Sequence, residues 1–298
     1  MPRFAWRIAG ASELDRALIF NCAGERLVAV VSDTVGSPPL GVLVLVGGPQ
    51  YRVGSHRQFL LLARRLAQAG IPTMRFDYRG MGDSTGAALS FERTVPDIDA
   101  AILAFKTACP TVERVVLWGL CDAASAALLY WRVTRAAHVA GMVLLNPWIR
   151  SDQSIATTHV KHYYVQRFFE RTFWVKLASG GVKVPAALRE LTGKILTMFR
   201  RRPANEHAET TFQDRMAAAL SEFSHPVLLI LSGQDYTAKE FLEYTTSDRQ
   251  WKGLIARETV ARVDLAKADH TFSTAAWRQE VEALTLDWLT RSFRIAAK

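Results

Sequence analysis

The stretch Val115–Ala124, which reads VVLWGLCDAA, decides how this chain folds. An apolar, β-branched run ends at Gly119, and two residues later the thiol of Cys121 begins an alanine-rich segment. That order predicts a strand, a sharp turn and a helix, with the thiol on the turn. Such a turn lifts the side chain off the sheet, and the helix dipole pointing at the sulfur favours thiolate over thiol. The stretch therefore predicts a nucleophile elbow that carries sulfur.

Apolar strands and helical stretches alternate on both sides of this elbow. A β-hairpin is predicted within the first 40 residues, and further strands are predicted at 41–46, 72–78, 113–118, 139–146, 226–231 and 258–263. Helices are predicted at 57–69, 94–107, 122–136, 237–251 and 274–293. This alternation is typical of an α/β fold, in which a mostly parallel central sheet is flanked by helices.

Residues 149–221 interrupt the alternation, because no strand pattern occurs within them. Aromatic residues at 164, 168, 169 and 173 recur there at helical spacing and predict an amphipathic face. We therefore predict a helical lid at 149–221, inserted after the sixth strand into a core formed by 1–148 and 222–298. The aromatic face would pack on the core, line a substrate pocket or touch a membrane surface, and the pattern leaves these alternatives open.

The composition is that of a soluble globular protein, with 298 residues, 49% hydrophobic and 22% charged. No apolar run approaches the roughly 20 residues that span a bilayer. The N-terminus has no apolar block of the kind found in secretory signals, so we expect a cytoplasmic protein without stable membrane insertion. Cys22, Cys109 and Cys121 share no disulfide or metal spacing, and the histidines share no metal-ligand spacing.

The net charge of +9 is unevenly distributed along the chain. Residues 151–220 contain eleven Lys and Arg against six Asp and Glu, an excess of +5. Such a segment suits anionic substrates or peripheral contact with an acidic membrane, but it is also compatible with an ordinary solvated surface. We expect no nucleic-acid partner, because no RNA- or DNA-binding motif accompanies the charge.

Two later segments supply the partners that a nucleophilic thiol needs. Asp235 comes just after the strand 226–231, and His270 lies in the loop before the last helix. The resulting order is nucleophile, acid and histidine. We predict Cys121 as nucleophile, His270 as its base or imidazolium partner, and Asp235 as the carboxylate that orients the ring. Asp269 competes for that last role, although a direct sequence neighbour of the histidine is expected to project elsewhere.

The predicted oxyanion hole combines two backbone donors. One is the N–H of Asp122, and the other is that of Gly48 in the turn 47–49, where Pro49 has no N–H to donate. The Gly-Gly-Pro sequence is also compatible with a simple turn. The Asp122 side chain has two opposed effects. Its negative charge disfavours a neighbouring thiolate, whereas an acid at the start of a helix is itself stabilising. The direction in which the side chain points decides which effect is larger.

With these residues in place, the chain resembles the α/β-hydrolase superfamily along nearly its whole length. Residues 47–49 are similar to its oxyanion turn, residues 77–84 to its Asp-x-Arg-Gly-x-Gly-x-Ser loop, and the segments around Asp235 and His270 to its acid and histidine. Ser84 in that loop is not on an elbow, so we interpret it as scaffold. The resemblance implies an α/β-hydrolase fold, and an elbow cysteine also occurs in dienelactone hydrolases.

A narrower resemblance involves two short segments. GSHRQF at 54–59 together with GLCDAA at 119–124 is similar to the exosortase A system-associated hydrolases of type 1. That group is known by its gene neighbourhood with exosortase and exopolysaccharide synthesis in Gram-negative bacteria. The resemblance implies a cellular context rather than a substrate.

Together these features favour a hydrolase in which Cys121 attacks an ester or thioester and water resolves the acyl-enzyme. An acyltransferase would use the same intermediate with a sugar hydroxyl or amine as acceptor. A binding protein that keeps the fold without catalysis is the third alternative. We expect a small-molecule or glycan-linked acyl substrate, and neither a metal nor an organic cofactor.

Overall fold

The computed structural model describes residues 15–34, 38–48, 50–150 and 211–295. The chain divides into two compact units, one formed by Met1–Ile149 with Phe212–Lys298 and the other by Arg150–Thr211. All elements described below belong to the first, larger unit. Most of the lid predicted at 149–221, including its aromatic face, lies outside the described residues.

Eight strands form one central sheet in the larger unit. They are β1 (Asp15–Cys22), β2 (Glu25–Ser32), β3 (Leu40–Leu45), β4 (Thr73–Phe76), β5 (Arg114–Leu120), β6 (Val139–Leu145), β7 (Val227–Ser232) and β8 (Val260–Leu265). Their spatial order is β1-β2-β4-β3-β5-β6-β7-β8. The hairpin β1–β2 and the pair β2–β4 are antiparallel, and every other neighbouring pair is parallel. The predicted mostly parallel sheet is confirmed.

Burial along the strands explains their composition. Strands β3, β6 and β7 are apolar throughout or nearly so and are buried at every position. Inner strands of a parallel sheet are covered on both faces, which is why they read as continuous hydrophobic runs. The edge strands β1 and β8 mix buried, intermediate and exposed positions, since part of each edge strand faces solvent.

Six helices of the described residues accompany the sheet. They are α1 (Gln58–Gln68), α2 (Val95–Ala108), α3 (Asp122–Thr134), α4 (Phe212–Glu222), α5 (Tyr236–Ser247) and α6 (Ala275–Phe293). Helix α1 buries Phe59, Leu62, Ala63 and Leu66 at helical spacing. Helix α3, which follows the elbow, is buried without interruption from Ala123 to Tyr130. None of the helices in the described part of the chain is long and apolar enough to cross a membrane.

Helix α4 falls within the segment that the sequence assigned to the lid. It belongs instead to the larger unit and packs against α3. Met216 and Leu220 of α4 are buried, and just after α4 the ring of Phe223 meets that of Trp131 at a centroid distance of 5.0 Å. The larger unit therefore resumes at Phe212 rather than at 222.

Candidate active site

Cys121 lies on the turn that joins β5 to α3. Its backbone angles, φ 64° and ψ −126°, fall in a region that residues with a side chain rarely occupy. Such a conformation costs on the order of 1–3 kcal/mol and persists only where neighbours enforce it. Here the Cys121 N–H donates to the Leu145 carbonyl at 2.9 Å, and the Cys121 carbonyl accepts from the Trp148 N–H at 3.2 Å. The end of β6 thus holds the turn in place.

Gly119 makes the sharpness of this turn possible. A Cβ at this position would lie 2.6–2.7 Å from backbone atoms of Ala123 and Ala124. Only glycine therefore lets the first turn of α3 pass so close to the end of β5. The structure has the strand, turn and helix that the sequence predicts around Cys121.

His270 and Asp235 meet at the same edge of the sheet. Nδ1 of His270 lies 2.8 Å from Oδ2 of Asp235. The Asp235 carboxylate also accepts from the N–H groups of Thr237 at 3.0 Å and Ala238 at 3.1 Å, as the N-cap of α5. The carboxylate is buried and held by these two backbone donors, so it presents a fixed acceptor to the ring.

Cys121 lies close enough to the His270 ring to act on its pKa. Burial alone lowers the pKa of His270, but the hydrogen bond with Asp235 and the polar and charge interactions with Asp235 and Cys121 outweigh it and raise the pKa to about 10. These neighbours therefore favour the imidazolium form of the ring. The three residues predicted as a triad lie together, with the histidine between the sulfur and the carboxylate.

Asp269, the competing carboxylate, is engaged elsewhere. It accepts from the N–H groups of Thr271 at 3.2 Å and Ser273 at 3.0 Å, and from the Ser273 hydroxyl. These bonds close the loop that carries His270. The carboxylate that the structure sets against the ring nitrogen is that of Asp235.

Asn146, which the sequence reasoning missed, ties the histidine loop to the sheet. Its amide donates to the Ser232 hydroxyl at 2.9 Å and to the His270 carbonyl at 3.2 Å, and its oxygen accepts from the Ser232 N–H at 2.8 Å. Ser232 in turn donates to the Asp269 carbonyl at 2.9 Å. Asn146 is fully buried, with φ 43°. A polar residue ending an apolar strand, of a type that tolerates positive φ, was the available signal.

A side chain engages one of the two predicted oxyanion donors. The Gly48 N–H donates to Oδ1 of Asp122 at 2.7 Å. Burial raises the pKa of Asp122, and the backbone N–H groups of Gly48, Ala123 and Asp122 and the nearby charge of His270 only partly offset that effect. The side chain therefore points toward the glycine turn.

The loop 77–84 is built as a support. The Ser84 hydroxyl donates to the Asp77 carbonyl at 2.8 Å and accepts from the Val28 N–H at 3.0 Å. The buried Asp77 carboxylate accepts from the N–H groups of Arg52 at 2.6 Å and Asp83 at 3.0 Å. Ser84 is buried in this network and is structural.

The other two cysteines differ from Cys121 in their surroundings. Cys22 and Cys109 are buried, and burial is the main cause that raises their pKa values to about 11 and about 12. Cys121 is partly exposed. Within the described ranges, no group of three or more His, Cys, Asp and Glu is placed to hold a metal ion.

Comparisons with known proteins agree with this architecture. The family model described as Serine aminopeptidase, S33 matches residues 37–241, well over half of the chain. Esterase Pf2001 of Pyrococcus furiosus superposes with a TM-score of 0.62 at 16% identity, covering 98% of each chain. No curated protein matches the chain significantly.

Two further solved structures are similar. Est1E of Butyrivibrio proteoclasticus, determined with ferulic acid bound, gives a TM-score of 0.59 at 13% identity and covers 94% of this chain and 100% of its own. XC6422 of Xanthomonas campestris, described as an α/β serine hydrolase without lid, gives 0.52 at 14% identity and covers 95% of each chain. At such identities these likenesses show the α/β-hydrolase fold. The family description specifies serine, whereas the elbow of this chain carries Cys121.

Proposed function

This chain belongs to the serine aminopeptidase, S33 family, and from that premise we propose that it hydrolyses esters or thioesters through a cysteine nucleophile. Family membership and fold make it a hydrolase; the proposal concerns the nucleophile and the bond. The observation that carries it is the position of His270, whose Nδ1 lies 2.8 Å from Oδ2 of Asp235 and whose pKa is raised by the neighbouring Cys121 on the elbow. That arrangement has the geometry of nucleophile, base and orienting carboxylate.

The first half of the reaction acylates the sulfur. The Cys121 thiolate attacks the acyl carbon, an S–C bond forms, and the carbonyl electrons move to oxygen. Backbone N–H groups at the elbow and the glycine turn would stabilise that oxyanion. Collapse of the intermediate breaks the bond to the leaving group, which takes a proton from the His270 imidazolium.

The second half releases the acid. After giving up its proton, His270 is neutral and removes one from a water molecule that attacks the thioester carbon. The C–S bond breaks, the carboxylic acid leaves, and the thiolate–imidazolium pair is restored. Asp235 keeps the proton of the ring on Nδ1, so that the other nitrogen faces sulfur and water.

We propose further that the substrate is a small-molecule or glycan-linked acyl compound and that the protein acts in the cytoplasm. The resemblance of 54–59 and 119–124 to the exosortase-associated hydrolases supports a cellular context in exopolysaccharide synthesis. Deleting the gene in its host and measuring the acyl content of the exopolysaccharide tests the context; unchanged acylation would contradict it.

Turnover of the purified protein tests the chemistry. With p-nitrophenyl acetate and an acetyl thioester as substrates, Cys121→Ala and His270→Ala should each lower kcat by about 10³-fold or more. Cys109→Ala is the matched control, since it removes a buried thiol and should leave kcat unchanged. Substantial activity in Cys121→Ala would refute the assigned nucleophile. A new acylated product formed with added sugar acceptors would demonstrate acyl transfer instead of hydrolysis.

Alkylation tests the sulfur without any assumption about substrate. We expect iodoacetamide to label Cys121 at least about 100-fold faster than Cys22 or Cys109 at pH 7, because only the thiolate reacts and the other two thiols are buried with raised pKa values. Mass spectrometry of digested protein over a time course measures the three rates. Equal, slow labelling of all three would favour the non-catalytic binding protein.

A further inference from the structure

The Asp122 carboxylate occupies the place where an oxyanion would bind. One of its oxygens accepts from the Gly48 N–H at 2.7 Å. The Gly48 N–H is one of the two donors that the proposed reaction needs for the tetrahedral intermediate, and the other is the N–H of Asp122 itself.

The chemistry of the two occupants is the same. A carboxylate oxygen carries negative charge and accepts short, charge-assisted hydrogen bonds from backbone N–H groups, as the oxygen of a tetrahedral intermediate does. The Gly48 N–H cannot serve both occupants at once. The close fit is visible at Gly47, where a Cβ would clash with the Asp122 carboxylate and lie 2.5 Å from the Leu120 carbonyl.

We propose that Asp122 is a resident occupant of the oxyanion hole, which an acyl substrate must displace before Cys121 can attack it. This inference rests on the proposed function. Asp122 then determines specificity: electrophiles that form an oxyanion are slowed, whereas those that form none react freely with the sulfur. A carboxylate that merely stabilises the start of α3 would have no such selectivity.

Two reactions of the same sulfur separate these roles. Iodoacetamide alkylates Cys121 at a saturated carbon, forming an S–C bond and releasing iodide without an oxyanion. Acylation by an acetyl thioester passes through a tetrahedral oxyanion. The ratio of the acylation rate to the alkylation rate therefore reports the oxyanion hole and cancels changes in the thiolate population.

We expect Asp122→Asn and Asp122→Ala to raise this ratio about tenfold or more over the wild type, since one oxyanion donor is worth about 10²–10³ in kcat. Asp269→Asn, which alters a carboxylate outside the hole, should leave the ratio unchanged. A ratio that stays constant or falls in both Asp122 variants would overturn the proposal. The thermal midpoint of each variant identifies a purely structural effect, which lowers the midpoint without raising the ratio.

A second measurement does not depend on the reactivity of Cys121. In Asp122→Ala the vacated Gly48 N–H should bind acetate in place of the lost carboxylate, so that acetate raises the thermal midpoint of this variant more than that of the wild type. Sodium chloride at equal ionic strength is the control. Equal shifts of the thermal midpoint in both proteins would overturn the proposal that Asp122 occupies the hole. Slow alkylation of Cys121 in every protein would instead contradict the proposed function. The acetate measurement would then test by itself whether Asp122 occupies the hole.

Discussion

The two sides of the sulfur are built differently. On the histidine side, His270 bonds Asp235 through its ring and Asn146 through its carbonyl, and both partners are buried. On the oxyanion side, the Gly48 donor is engaged by the side chain of the residue next to the nucleophile. The histidine side is thus assembled before substrate arrives, whereas the oxyanion side first has to exchange an internal ligand for an external one.

This difference separates the activation of the nucleophile from the stabilisation of the intermediate. Activation rests on hydrogen bonds between His270 and buried partners, which form as the chain folds. Stabilisation of the intermediate depends on a partly buried carboxylate that the substrate displaces. Variants on the histidine side should therefore reduce the reactivity of the sulfur toward every electrophile, in contrast to the selective effect expected at Asp122.

The largest expected effect is that of Asp235→Asn. The amide lacks the negative charge that stabilises the imidazolium and that fixes the proton of the neutral ring on Nδ1. We therefore expect kcat to fall by about 10²–10⁴-fold. Asp269→Asn is the matched control, because that carboxylate bonds only its own loop among the contacts described above. Ester turnover of both variants measures the difference. Equal losses would mean that Asp235 has no special role in orienting the ring.

A smaller effect is expected from Asn146→Gly, which keeps a backbone of φ 43° accessible while removing the amide. The Ser232 groups lose their partner, so the free energy of unfolding should fall by about 1–3 kcal/mol. Because the histidine loop is then less fixed, kcat should fall about tenfold with KM unchanged.

Gln213→Ala provides the comparison for that variant. Its buried amide donates to the Ile149 carbonyl at 3.2 Å, so its loss should reduce stability without lowering kcat. Urea unfolding and steady-state kinetics of the two variants give both quantities. If Asn146→Gly lost stability but kept its kcat, the hydrogen bonds of Asn146 would have a purely structural role.

The smallest effect concerns pH. The pKa of His270 rises from 6.5 to about 10 on folding, so its contribution to stability is complete below pH 6.5 and is lost as the pH rises through 10. Since one third of the side chain is exposed, solvent screening limits the change to on the order of 1 kcal/mol. Urea unfolding between these pH values should show a decline in the free energy of unfolding of the wild type, and a weaker decline in Asp235→Asn. Parallel profiles of stability against pH in the two proteins would contradict Asp235 as a cause of the raised pKa.

The comparison also shows which features could be read from residues alone. The apolar runs of β3, β5 and β7 are continuous in sequence, and a site residue follows each of them within three positions: Gly48, Cys121 and Asp235. Because the carboxyl ends of parallel strands share one edge of the sheet, Cys121, Asp235 and His270 could be expected near one another. Asn146 and the placement of α4 were missed, since their partners Ser232 and Trp131 are about 80 to 90 residues away in the chain.

Local patterning was thus sufficient for the fold class, the elbow and the order of the candidate triad, because strand periods, turns and helix starts depend on neighbouring residues. The direction of the Asp122 carboxylate depends instead on the N–H of Gly48, which lies 74 residues earlier and reaches the elbow only through the pairing of β3 with β5. The sequence does favour Asp235 over Asp269, because a direct neighbour of the histidine projects elsewhere, but the contact itself requires the loops after β7 and β8 to meet. A side chain with several acceptors takes the donors that folding brings to it, and those donors come from distant segments.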